Sequence, residues 1–152
     1  MRLMAIAVHL SAGDVLLVRL ALVYHFARPG AELDPATGHL AEHGLAEVDA
    51  ALAGREESAA TLALGDVQLH RLLQAMLGCV NELRVYHLSD GAASMVPGFN
   101  ETARRLFPAM EGDPEAAVDV AESMLMLRRR LSRSETAKFG EPARRSHRPF
   151  RR

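Results

Sequence analysis

Two stretches of this chain alternate apolar with small or polar residues and then switch, within a few positions, to the longer apolar spacing of a helix. The first runs through Met4, Ile6, Val8 and Leu10, and the second through Ala60, Leu62 and Leu64. Alternation marks a half-buried strand, which must lay its apolar face on another layer. After the second stretch, Leu69, Leu72, Leu73, Met76, Leu77, Val80 and Leu83 form one broad helical stripe. Each segment therefore predicts strand, short turn and helix. The expected fold class is α+β, mostly α-helical, with two short strands and further helices toward the C-terminus.

The two segments also resemble each other. Residues 13–20 read GDVLLVRL and residues 65–72 read GDVQLHRL, at an offset of 52. Shared Gly, Asp and Arg carry more weight than shared Leu, and the match predicts an internal duplication of units at 4–26 and 56–78. The alternative is two independently capped, Leu-rich helices. Ser11 with Asp14 has capping-box spacing, and Asp66 puts a carboxylate at the matching place in the second unit. A pseudo-twofold arrangement of the units would set Asp14 against Arg71 and Asp66 against Arg19; otherwise both arginines reach to solvent.

Between the units, Pro29, Gly30, Pro35 and Gly38 mark a loop, followed by a helix expected over about 40–53 and weakened by Gly44. Residues 89–98 read as a second loop. A short helix then carries Phe99, Ala103, Leu106 and Phe107 and ends near Pro108. Asp113-Pro114-Glu115 supplies a cap acceptor, a first-turn proline and a carboxylate at the positive helix end. The stripe Ala117, Val120, Ala121, Met124, Leu127 and Leu131 should pack on the body. No periodicity is evident from Ser134 onward, so the expected organisation is one compact α+β domain over 1–133 and a disordered basic tail over 134–152.

Half of the chain is hydrophobic (49%), which excludes a wholly disordered protein, yet aromatics are only 5% and Trp is absent. Leu, Val, Ala and Met must build the core. The single Cys79 cannot close an internal disulfide, and it sits beside Leu77 and Val80 as a small hydrophobe would. That favours a reducing compartment, with the cytoplasm as the expectation. Leu3 to Leu10 is a short apolar run that a signal peptide could share, but His9, Arg19 and His25 interrupt it and its successor. Neither segment reaches the ~20 apolar residues of a membrane span.

Charge is segregated along the chain. Residues 1–127 hold 17 Asp and Glu against 8 Lys and Arg, whereas residues 128–152 hold 2 against 10. An acidic body therefore carries a cationic end, which would attract polyanions or acidic protein faces, its own body included. The candidate contacts are Arg128, Arg129, Arg130, Arg133, Arg144, Arg145, Arg148, Arg151 and Arg152, with Phe139 and Phe150 interleaved. Arginine suits phosphate, and aromatics suit base stacking. The chain has one Lys against seventeen Arg, so a chain-wide preference for Arg also accounts for the residue type.

One motif suggests metal chemistry. His39-Leu40-Ala41-Glu42-His43 matches the H-x-x-E-H pattern of the inverted zinc proteases. Histidines at i and i+4 share a helix face and could both reach a zinc, with Glu42 as general base. Glu115 or Glu122 would be the further ligand that the resemblance implies. Gly38 and Gly44 flank the motif and would fray the helix, and an exposed pair of histidines explains the same residues. Asp66 and His70 have ion-pair spacing, and neither they nor His87-Leu88-Ser89-Asp90 comes with a nucleophile motif. No Walker loop, dinucleotide glycine pattern or Cys-rich ligand set is present, so no cofactor is called for.

The expected function is a non-enzymatic interaction or regulatory module, self-associating as a homodimer because residues 14–27 carry more apolar surface than one buried stripe requires. A nucleic-acid-associated protein held by its Arg-rich end is the alternative, and a zinc-dependent hydrolase through His39, Glu42 and His43 comes third.

Overall fold

A computed structural model describes residues 5–34, 36–39, 44–55 and 58–139. Its order begins with strand β1 (Ala5–Leu10), helix α1 (Ala12–Ala27), helix α2 (Ala46–Leu52) and strand β2 (Ala60–Gly65). Helix α3 (Asp66–Leu88), helix α4 (Phe99–Leu106), a 3-10 turn at Pro108–Met110 and helix α5 (Ala116–Phe139) complete it. The chain is a mostly helical α+β fold.

The alternation noted in the sequence has its expected physical outcome. β1 and β2 pair antiparallel, with Ile6 opposite Leu64, Val8 opposite Leu62 and Leu10 opposite Ala60, so the apolar members meet on one face. Val8, Leu10, Leu62 and Leu64 are buried there, and exposed His9 bonds Thr61 on the other face at 3.1 Å. A two-stranded ribbon is marginal alone; helices on its buried face supply the remaining core.

α1 begins where Ser11 Oγ accepts from the Asp14 N–H at 3.1 Å and the Asp14 carboxylate accepts from the Ser11 N–H at 3.0 Å. This is a complete capping box. The helix buries Val15, Leu17, Val18, Leu20, Ala21 and Leu22, more than one face can hold, and it packs against α2, α3, α4, α5 and β1. Most of its apolar excess is therefore used inside the fold, with Phe26 left exposed. That leaves little of the apolar surface from which the sequence argued self-association.

α3 and α5 lie antiparallel as the longest pair. His87 meets Glu115 at 2.9 Å, Arg128 Nε donates to the Leu73 carbonyl at 2.8 Å, and His70 lies 3.7 Å from Glu135. The α3 stripe is buried except at Leu77, and the whole expected α5 stripe is buried. α1 crosses α3 at Gly78, where an added Cβ would come within 2.4 Å of the Tyr24 ring.

Several expectations need correction. α5 runs on past Ser134 to Phe139, because Leu131 and Glu135 are still buried and Phe139 packs against the core. The helix thus takes six residues from the segment expected to be disordered; residues 140–152 lie outside those described. α2 begins at Ala46 rather than near residue 40, since the Leu45 N–H is taken by the Glu32 carboxylate, which also fills the space a Cβ would need at Gly44.

Both units are strand followed by helix, but the sequence match is out of step with the structure. Ser11 caps α1, so Gly13 and Asp14 lie inside its first turn, whereas Gly65 itself caps α3. The caps are 54 residues apart and the matching sequences 52, and two residues turn a helix by roughly 200°. The matched arginines are accordingly not equivalent. Arg19 pairs with Asp49 at 3.5 Å, and Arg71 donates to the Ala31 carbonyl at 3.2 Å. Asp14 meets Arg130 and Asp66 bonds the Val67 N–H, so the cross-pairs that a pseudo-twofold arrangement would make do not form, and neither arginine is left only to solvent.

Candidate interaction surface

A groove of about 570 Å³ opens between the start of α1 and the outer side of α5. Its floor is apolar: Leu17, Val120 and Leu127 are buried, and Phe107 closes one side from the end of α4. Met126 stands in it with 66% of its surface exposed. The rim is polar, with Asp119 and Ser123 toward the start of α5 and Asp14, Arg130 and Arg133 toward its end. A concave apolar patch with a few placed charges is the usual form of a binding surface.

The rim is held by a bond across the fold. Arg130 donates to the Asp14 carboxylate at 2.9 Å and to the His9 carbonyl at 3.3 Å, tying α5 to both β1 and α1. Burial alone would raise the Asp14 carboxyl. The Ser11 N–H, the Arg130 bond and charge, and the Ser11 side chain outweigh it and hold the group below the ordinary carboxylate range.

The cationic contacts expected from the sequence divide into three sets. Arg128 and Arg130 are engaged by the protein's own atoms, whereas Arg129 and Arg133 face solvent on the last turns of α5, followed by exposed Lys138. Arg144, Arg145, Arg148, Arg151 and Arg152 lie outside the described residues.

Of the metal motif, His39 is exposed in a turn closed by the Asp34 N–H donating to the His39 carbonyl at 2.8 Å. It is not on a helix, and Glu42 and His43 lie outside the described residues. Glu115 bonds His87, and Glu122 is exposed on α5. Among the described residues no three His, Cys, Asp or Glu side chains gather closely enough to hold a metal. His70 pairs with Glu135 across the α3–α5 interface instead of with Asp66.

Two polar clusters have no counterpart among the sequence expectations. Glu32 accepts from buried His25 and, through both oxygens, from the Leu45 N–H at 3.1–3.2 Å. Burial would raise its carboxyl, but the bonds from His25 and Leu45 and the charges of His25 and Arg71 lower it overall. This arrangement fastens the loop after α1 to the start of α2. Buried Glu82 accepts from the Ser94 hydroxyl and the Met95 N–H, each at 3.2 Å, and so fixes the loop before α4. Single acids whose partners lie in polar loops give no periodic signal, so neither cluster is visible in the spacing of the sequence. Both read as loop anchors, since each carboxylate is already occupied by chain atoms.

Cys79 is fully buried, and burial, reinforced by the Glu82 charge, pushes its thiol well above the usual range. No described helix is long and apolar enough to cross a membrane. Comparison with known proteins adds no assignment: no family model, no curated protein and no solved structure matches the chain.

Proposed function

We propose that the protein is a non-enzymatic binding module whose working surface is the groove between α1 and α5. The observation that carries this is the combination of an apolar floor, an exposed Met126 and a charged rim in one concavity. Unbranched, polarizable methionine suits a surface that must adapt to a partner's side chains. Glu32 and Glu115 are paired with His25 and His87, and Glu82 is taken up by the Ser94 hydroxyl and the Met95 N–H with no histidine bonded to that hydroxyl, which supports binding over catalysis. A buried, unreactive Cys79 fits a reducing, cytoplasmic setting.

The test is a peptide-display selection against the wild-type protein, with Ser123→Trp filling the groove. Selected peptides should bind wild type and lose at least about tenfold in affinity for Ser123→Trp, a loss of about 1.4 kcal/mol. They should be indifferent to Glu101→Ala, an exposed change on α4 outside the groove. Peptides that ignore Ser123→Trp would remove the groove from consideration.

A second reading rests on the exposed Arg129, Arg133 and Lys138, which lead in sequence into five further arginines. These would contact the phosphates of a single-stranded nucleic acid. Binding of labelled single-stranded RNA that weakens steeply with salt and drops in a chain ending at Phe139 would support it. No binding at low salt would remove it.

A further inference from the structure

The outer face of α5 is self-complementary about Met126, and we infer that a second copy of this chain docks there with its α5 antiparallel. This rests on the groove being the working surface and names its occupant. Asp119 and Arg133 each lie seven residues from Met126, Glu122 and Arg130 four, and Ser123 and Arg129 three. All seven positions are exposed. Turning a second α5 end for end about Met126 places each acid opposite the base at the mirrored position.

Such a contact is isologous, so every pair occurs twice: Asp119 of one copy meets Arg133 of the other, and the reverse. The positions 119, 122, 126, 129 and 133 recur at alternating spacings of three and four, the seam that lets two helices lie side by side over several turns. From Asp119 to Arg133 the seam is about 21 Å long. Asp119, Glu122, Arg129 and Arg133 make no ion pair among the described residues, whereas Arg130 is already shared with Asp14. The outer pairs at Asp119 and Arg133 therefore set the register.

The helix dipole favours acids early and bases late in any helix. That accounts for the order of the charges but not for their mirrored spacing around the one large exposed apolar residue of the groove. Exposed ion pairs contribute little energy each. Their role is to align the two helices, while covering Met126, the apolar side chain of the groove that is still 66% exposed, supplies the attraction.

Sedimentation equilibrium on the full chain tests this. The wild type should dimerise with a dissociation constant of about 1–100 µM, as befits a small interface. Asp119→Arg alone sets the introduced arginine against Arg133, and Arg133→Asp alone sets the introduced aspartate against Asp119. Each single variant should weaken the dimer by at least about tenfold, because like charges face each other. An equimolar mixture of the two variants should restore it. The introduced arginine of one copy then faces the introduced aspartate of the other, and the native Arg133 faces the native Asp119. Recovery also shows that both variants are folded. Met126→Lys, which sets two cations at the axis, should be monomeric whatever its partner.

A wild type that stays monomeric overturns the inference, as does a dimer indifferent to Met126→Lys and to both reversals. A dimer that the mixture fails to restore overturns it as well. Peptide binding sensitive to Ser123→Trp in a monomeric wild type would keep the groove as a binding surface while removing self-pairing. A charge-sensitive dimer without peptide binding would support self-pairing and leave the second copy, not a peptide, as the occupant of the groove.

Discussion

Arg130 on α5 reaches Asp14 on α1 at 2.9 Å across 116 residues of sequence, and Asp14 is the same carboxylate that completes the capping box with Ser11. One acid thus starts a helix and fastens the last helix to the first. Asp14→Asn should cost about 1 kcal/mol at neutral pH, combining part of a cap with a half-exposed ion pair. In a double-mutant cycle with Arg130→Met, urea denaturation should show coupling, because the two side chains share a bond.

The same pair predicts the acid limb of stability. Asp14 and Glu32 both have carboxyls lowered in the folded protein. Their contribution is therefore complete above the unfolded carboxylate value and is lost as pH falls through the folded one. The difference in unfolding free energy between wild type and Asp14→Asn should be constant from about pH 5 to 7 and shrink below about pH 4. A difference that grows on acidification would mean that the carboxylate is not held by Ser11 and Arg130.

Cys79 should be silent to thiol reagents in the native state. It is fully buried and its thiol is pushed up by burial and by Glu82. Ellman's reagent at about pH 8, near the ordinary thiol value, should label it only at the rate of unfolding, with full reaction in guanidinium. Rapid native labelling would contradict the packing around α3.

Much of the fold was legible because periodicity is a local signal read by a global core. The strand pair and the stripes of α3 and α5 came from it, and Asp113 caps the turn before α5 through the Glu115 N–H at 3.1 Å. The illegible part depends on contacts between distant positions. The GDV match looked like a structural equivalence, but capping by Ser11 in one unit and Gly65 in the other offset it by two residues. The roles of Arg128 and Arg130 could not be separated from that of Arg129 without knowing which side of α5 faces the body. The groove itself joins residues near positions 14, 107 and 126, which no spacing connects.

Gly78→Ala tests one such contact. In an isolated helix the change would stabilise by about 1 kcal/mol, since Ala is the better helix former. Here the new methyl would lie 2.3–2.4 Å from the Tyr24 hydroxyl and ring, so α1 and α3 must part or the ring must move. The net effect should be a loss of about 1–3 kcal/mol. In a Tyr24→Ala background the sign should reverse, giving stabilisation by the same substitution. Stabilisation by Gly78→Ala in the wild type would show that Tyr24 yields freely.

Truncation separates the contribution of the last turns of α5 from that of residues 140–152. A chain ending at Phe139 keeps every described contact and serves as the control. A chain ending at Arg133 loses Glu135, which is buried beside His70, and Phe139, which packs on the core. It also ends α5 within one turn of Leu131, a core residue 2% exposed, and so frays the last turn that buries it. Losing part of one apolar side chain and the turn supporting another should cost about 2–3 kcal/mol. In a domain of this size that corresponds to a fall of roughly 4–10 °C in Tm relative to the Phe139 chain. Equal melting temperatures for the two chains would mean that residues 134–139 add no packing, and that the domain ends at Arg133.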